Sequence, residues 1–120
     1  MVADQPLPDA DAALLEQLLG SLLQDFAVWF ERGEELLDLC PDWVMGADQR
    51  QILRQELQQA SRELEAAGAV RGVMPVPVAL PMELLAPWHQ LVMRVWSLSA
   101  RLRGMGVALP PLNWPDALPG

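Results

Sequence analysis

The sequence predicts an all-α fold: a three-helix, mostly antiparallel bundle with a Pro-rich crossing segment and an irregular C-terminal tail. Two observations carry this expectation. Between Leu14 and Leu37, every Leu and aromatic side chain falls on one half of a helical wheel, an arc of about 180° at 100° per residue. A two-stranded coiled coil needs only a narrow seam, so an apolar half-circumference implies two neighbours packed on one helix. In addition, 52% of the 120 residues are hydrophobic, and the eleven Pro and eight Gly gather mainly between and beyond three periodic segments, where they mark connections.

Each element then follows in order. Residues 1–10 read as a disordered N-terminal tail, and residues 11–104 as the bundle. Asp9 or Asp11 serves as N-cap of helix one, which runs to about Leu39 and is ended by Cys40-Pro41-Asp42. Gly33 inside this helix predicts a kink or a close helix approach. Asp25 and Arg32 lie at the boundary of the apolar arc, and Glu31, Glu34, Glu35 and Asp38 form an acidic face. Helix two starts at or just before Asp48 and stops at Gly68 as C′. Its stripe Leu53, Leu57, Ala60, Leu64 and Ala67 is narrow and suits either packing on helix one or self-association. Residues 72–81, carrying Pro75, Pro77 and Pro81, exclude regular helix and make the apolar crossing. Helix three follows, with Pro87 at its first position or after a first turn at Met82–Leu85, and Gly104 and Gly106 stop it. Residues 105–120 form the Pro-rich C-terminal tail.

The net charge of −8 is uneven. Residues 1–40 hold nine acids against Arg32 alone, whereas residues 71–120 hold four Arg and two acids. Attraction between an acidic first helix and a mildly basic last third is the expected internal consequence. Nucleic acid is excluded as a partner class, because no basic surface with interleaved aromatics is present. The chain has no Lys, Thr or Tyr, which removes a P-loop Lys, a Schiff-base Lys and a Tyr acid. A single Cys forms no internal disulfide and fits a reducing, cytoplasmic setting. The N-terminus shows neither a basic nor an apolar targeting region, and no apolar run reaches the length of a spanning helix. A peripheral membrane contact is left open.

No catalytic, cofactor-binding or metal set emerges. His89, the only His, lacks a second His or Cys at metal-ligand spacing and reads as a boundary side chain. Cys40 at a helix C-terminus lacks a nearby base. The helix-one acids read as a solvated face. Of five Trp, Trp29, Trp88 and Trp96 fall on or beside apolar arcs and read as core. Trp43 and Trp114 fall in irregular segments, where they either cap the bundle ends or form exposed anchors for a partner or a membrane interface.

Two blocks, Leu18-Leu19-x-x-Leu22-Leu23-x-Asp25-Phe26-x-x-Trp29-Phe30-Glu31-Arg32 and Pro87-Trp88-His89-Gln90-Leu91-Val92-x-x-Val95-Trp96, together resemble a family of short cyanobacterial proteins known as a domain of unknown function. The resemblance covers roughly residues 14–102. It implies a helical bacterial protein without assigned catalytic residues, and it draws attention to Asp25, Arg32, Trp88 and His89 as organisers of a groove between helices one and three. The function expected is that of a non-enzymatic protein-interaction or assembly factor, with a possible site at the thylakoid membrane surface. Its partner is another protein or a second copy, and Asp25, Arg32, Trp43, Trp88, His89 and Trp114 are the candidate contact residues. The alternatives are a self-associating scaffold, and a small ligand-binding or enzymatic bundle using helix-one carboxylates with His89.

Overall fold

The structure, a computed structural model, describes residues 9–73 and 82–112. It consists of α1 (Asp9–Leu39), α2 (Ala47–Val73) and α3 (Met82–Gly104), with no strand among the described residues. Helices α2 and α3 each pack on α1, as the wide apolar arc of α1 requires. The side-chain pairs fix the directions. Gln58 and Arg54 of α2 reach Glu34 and Asp38 of α1 in reverse order, so α1 and α2 are antiparallel. Phe26 meets Trp88, and Trp29 meets Trp96, so α1 and α3 run the same way. The bundle is therefore up–down–up, with α1 as the shared wall.

The core fills the angle between the three helices. Phe30, Leu36 and Leu37 of α1, Leu57 of α2, and Trp88, Val95 and Leu102 of α3 are almost completely buried. Gly33 sits where all three helices come closest. A Cβ at that position would lie 2.8 Å from both Leu57 Cδ1 and Val95 Cγ2, so the glycine is a close-approach device. The helix-two stripe Leu53, Leu57, Ala60 and Leu64 is buried in this core and is used up within the chain. The Leu-rich first half of α1 is less covered than its wheel suggested: Leu14 and Leu18 are exposed, and Leu15, Leu19 and Leu22 are half-buried.

Two element boundaries differ from the sequence-based expectations, and at a third the structure decides between two alternatives. Asp9 and Ala10, expected in the tail, are the first residues of α1. Gly68 does not stop α2, which continues to Val73. One Gly costs about 1 kcal/mol in a helix, and Ala66, Ala67 and Ala69 around it offset that. Of the two arrangements weighed for Pro87, the structure shows the second, a proline inside a helix that begins at Met82. Residues 1–8, most of the Pro-rich crossing (74–81), and Trp114 with the rest of 113–120 lie outside the described residues.

The helix ends are closed by identifiable groups. The Arg50 guanidinium donates to the Cys40 carbonyl and pairs with Asp42, satisfying the end of α1. Arg101 of α3 donates to the Val44 carbonyl at 3.0 Å and ties α3 to the same turn. At the end of α3, Gly106 has φ 82°, Val107 N–H donates to Leu102 O at 2.9 Å, and Gly106 N–H to Arg103 O at 3.0 Å. This is a Schellman cap with Gly106 as C′, and its hydrophobic contact comes from Val107 folding onto the core. Residues 107–112 of the tail are irregular, as expected, but Val107 and Leu109 pack back against the bundle.

Candidate functional site

The sequence-selected residues divide between interior and surface. Trp88 is 1% exposed; its ring meets Phe26 edge-on at 5.5 Å, and its indole N–H donates to Glu63 of α2 at 3.2 Å. A buried indole needs such an acceptor, so Trp88 joins all three helices. Arg32, placed at the arc boundary from the sequence, is buried as well, with Glu35 as its ion-pair partner. Trp88 offers no surface to a partner, and Arg32 is reached only through the two clefts it lines. Asp25, Trp43 and His89 are exposed, and Trp43, at 67%, does not cap the bundle end. The four residues Asp25, Arg32, Trp88 and His89 thus do not line one common groove. Trp88 and Arg32 take part in different contacts, while Asp25 and His89 face solvent.

Cys40 is buried, and burial pushes its thiol up from the ordinary value, against the opposing pull of Arg50 and Arg101. The acidic face of α1 is held by α2 rather than by α3. Arg54 pairs with Asp38 at 2.8 Å, and Gln58 donates to Glu34 at 3.1 Å. Arg94 of α3 meets Glu56 of α2 at 2.6 Å. Among the described residues no ion pair joins α1 to α3, so the expected attraction between the acidic first helix and the basic last third is relayed through α2. No group of three His, Cys, Asp or Glu side chains is placed to hold a metal among the described residues.

Two surface features were not anticipated. The first is an open groove between α2 and α3, on the side away from α1. One part, of about 340 Å³, runs past Met45, Leu53 and Leu98; the other, of about 450 Å³, runs past Ala60, Pro87 and Leu91. Ile52, 56% exposed, and Arg94 border both parts, and the Arg94–Glu56 pair bridges the helices between them. The second is the Trp29–Trp96 pair on the α1–α3 seam, edge to face at 5.5 Å. Trp96, expected in the core, is 46% exposed there. The spacing Trp96, Ser99, Arg103 on α3, beside Trp29 and Arg32 on α1, places polar and indole groups on facing stripes, and this was the available signal.

An all-helical three-helix bundle with an open interhelical groove defines a class of small protein, not a chemistry. The chain belongs to the family described as "Protein of unknown function (DUF2605)", whose model matches residues 9–104, all three helices. No curated protein and no solved structure matches it.

Proposed function

We propose that this protein is a non-enzymatic interaction or assembly factor that receives an amphipathic helix of a partner protein in the α2–α3 groove. The observation that carries this reading is the groove itself. Helices α2 and α3 both close on α1 yet stay open towards each other, with exposed Ile52 over a floor of Leu53, Leu91 and Leu98. A fourth helix laid there would complete a four-helix arrangement and bury Ile52. The lining residues extend from Gln49 to Glu63 on α2, about 21 Å of helix axis at 1.5 Å per residue, enough for a partner helix of about four turns. Gln55, Gln59 and the Glu56–Arg94 pair form a polar rim of mixed sign, suited to an amphipathic partner rather than a purely apolar one.

A second copy of the chain is the alternative occupant, favoured by the exposed Leu14 and Leu18 on the first half of α1. Attachment to a photosynthetic membrane extends the reading through the resemblance to cyanobacterial proteins and through exposed Trp43. No helix among the described residues is long and apolar enough to cross a membrane. The test is co-purification of the full chain with soluble and membrane fractions of its host, beside an Ile52→Glu variant. A stoichiometric partner retained by the parent chain and lost from Ile52→Glu is expected. A partner held equally by both, or a monomer that retains none from either fraction, overturns the assignment. Sedimentation of the purified chain distinguishes a second copy from a foreign partner.

A further inference from the structure

The α1–α3 seam holds a buried cation whose hydrogen bonding is incomplete among the described residues. The Arg32 side chain is 3% exposed, and among the described residues its only polar partner is Glu35, through Nη1. Nε and Nη2, two nitrogens of the guanidinium fork, have no acceptor there. Leaving such donors without a charged acceptor is unfavourable for so deeply buried a guanidinium, and an arriving anion relieves it.

Arg32 stands between two clefts that share Leu112 as a wall. The smaller, about 60 Å³, is lined by Val28, Glu31 and Glu35, and so carries its own negative charge. The larger, about 170 Å³, has no acid among its described lining residues. Its remaining walls are Trp29, Trp96, Ser99 and Arg103. Ser99 is itself buried, and its hydroxyl makes no side-chain hydrogen bond among the described residues. The larger cleft therefore presents two guanidinium groups and one hydroxyl beside the Trp29–Trp96 pair.

We infer that the Trp29–Trp96 cleft is a binding site for an organic monocarboxylate with an apolar or aromatic body. The carboxylate accepts from Arg32 in the planar fork geometry that guanidinium and carboxylate share, and the Ser99 hydroxyl donates to it. Arg103, exposed at the mouth, adds positive charge, and the body of the ligand lies against Trp29, Trp96 and Leu112. A monoanion fits better than phosphate. Glu31 and Glu35 stand on the other side of Arg32, and their charge disfavours a second negative charge beside it. The volume equals on the order of five or six waters, which admits a small acid or a single acidic side chain. The same chemistry is available from a free acid and from the chain itself, since Asp116 follows the cleft wall Leu112 by four residues.

The experiment titrates the full chain with 3-phenylpropionate and follows the indole N–H resonances by NMR. Saturable shifts of Trp29 and Trp96, with Trp43 unmoved, are expected, and neither 3-phenylpropionamide nor inorganic phosphate should produce them. Arg32→Gln should weaken binding about tenfold or more, the usual scale for a charge-assisted hydrogen bond. Because loss of a buried charge can itself disturb the seam, two gentler variants with unchanged circular dichroism carry equal weight. Ser99→Ala should weaken binding several-fold, and Glu35→Gln, which removes the negative charge that competes for Arg32, should tighten it. Tightening in Asp116→Asn would assign the native occupant to the chain's own tail, and no change there would assign it to a free acid. No saturable shift in either the parent chain or Asp116→Asn overturns the inference. So does equal binding of the amide, or indifference of affinity to both Ser99→Ala and Glu35→Gln.

Discussion

Gly33 and Cys40 show how far single residues are determined by their neighbours. Replacing an exposed helical Gly with Ala gains about 1 kcal/mol, but at Gly33 the added methyl meets Leu57 and Val95, both 0% exposed and without room to move. Overpacking of that kind costs about 1–3 kcal/mol, so Gly33→Ala should be net destabilising, and a lowered thermal midpoint checks this. Cys40 gives a pH-dependent expectation. Its thiol pKa is raised on folding by burial, so the contribution is intact below the unfolded-state value and is lost as pH rises through the folded-state value. Cys40→Ala should therefore show a flatter fall of stability in the alkaline range than the parent chain. In the native state at neutral pH, a thiol reagent should label Cys40 only as fast as the chain opens. The sequence marked Gly33 as a close approach or a kink because a glycine inside an apolar helix needs a reason. It could not say which, since Leu57 and Val95 come from other helices. Trp88 is similar: its place on an apolar arc was legible, but its acceptor Glu63 lies 25 residues away on α2.

Among the elements, starts and stops were legible where a local backbone rule decided them and illegible where two rules competed. Pro41 ends α1, and Gly46 precedes α2, both as the sequence indicates. At Gly68 the loss from one glycine was outweighed by neighbouring alanines. At the end of α3, Gly106 is held in the left-handed region by a cap whose hydrogen bonds cannot be seen in the sequence. The two glycines should respond oppositely to the same change. Gly68→Ala has open space around it and should stabilise the protein by about 0.5–1 kcal/mol. Gly106→Ala, forced to φ 82°, should destabilise it by about 1 kcal/mol. Paired denaturant melts read both signs in one series. The helix-two stripe illustrates the remaining ambiguity. Its narrowness allowed either packing on helix one or self-association, and only the structure shows it buried against α1.

For the whole molecule, the half-circumference arc of α1 correctly implied two packed neighbours, and the bundle follows from it. What the arc could not convey is that those neighbours leave a groove between themselves. Ile52 reads in the sequence as an isolated apolar residue off the stripe, and becomes meaningful only when Leu91 and Leu98 arrive from α3. The Trp29–Trp96 cleft was obscured for a related reason: a Trp on an arc suggests core, yet Trp96 lies at the seam's edge, where the partner of α3 runs out. The proposed partner-binding face lies on α2 and α3, whereas the motif residue Asp25 is exposed on α1. The most direct measurement puts a photo-crosslinking amino acid in place of Ile52 in one full-length protein and in place of Asp25 in another, and irradiates each in the host cell. A discrete cross-linked species is expected from position 52 and none from position 25. Cross-linking from position 25 alone, or equally from both, would contradict that placement.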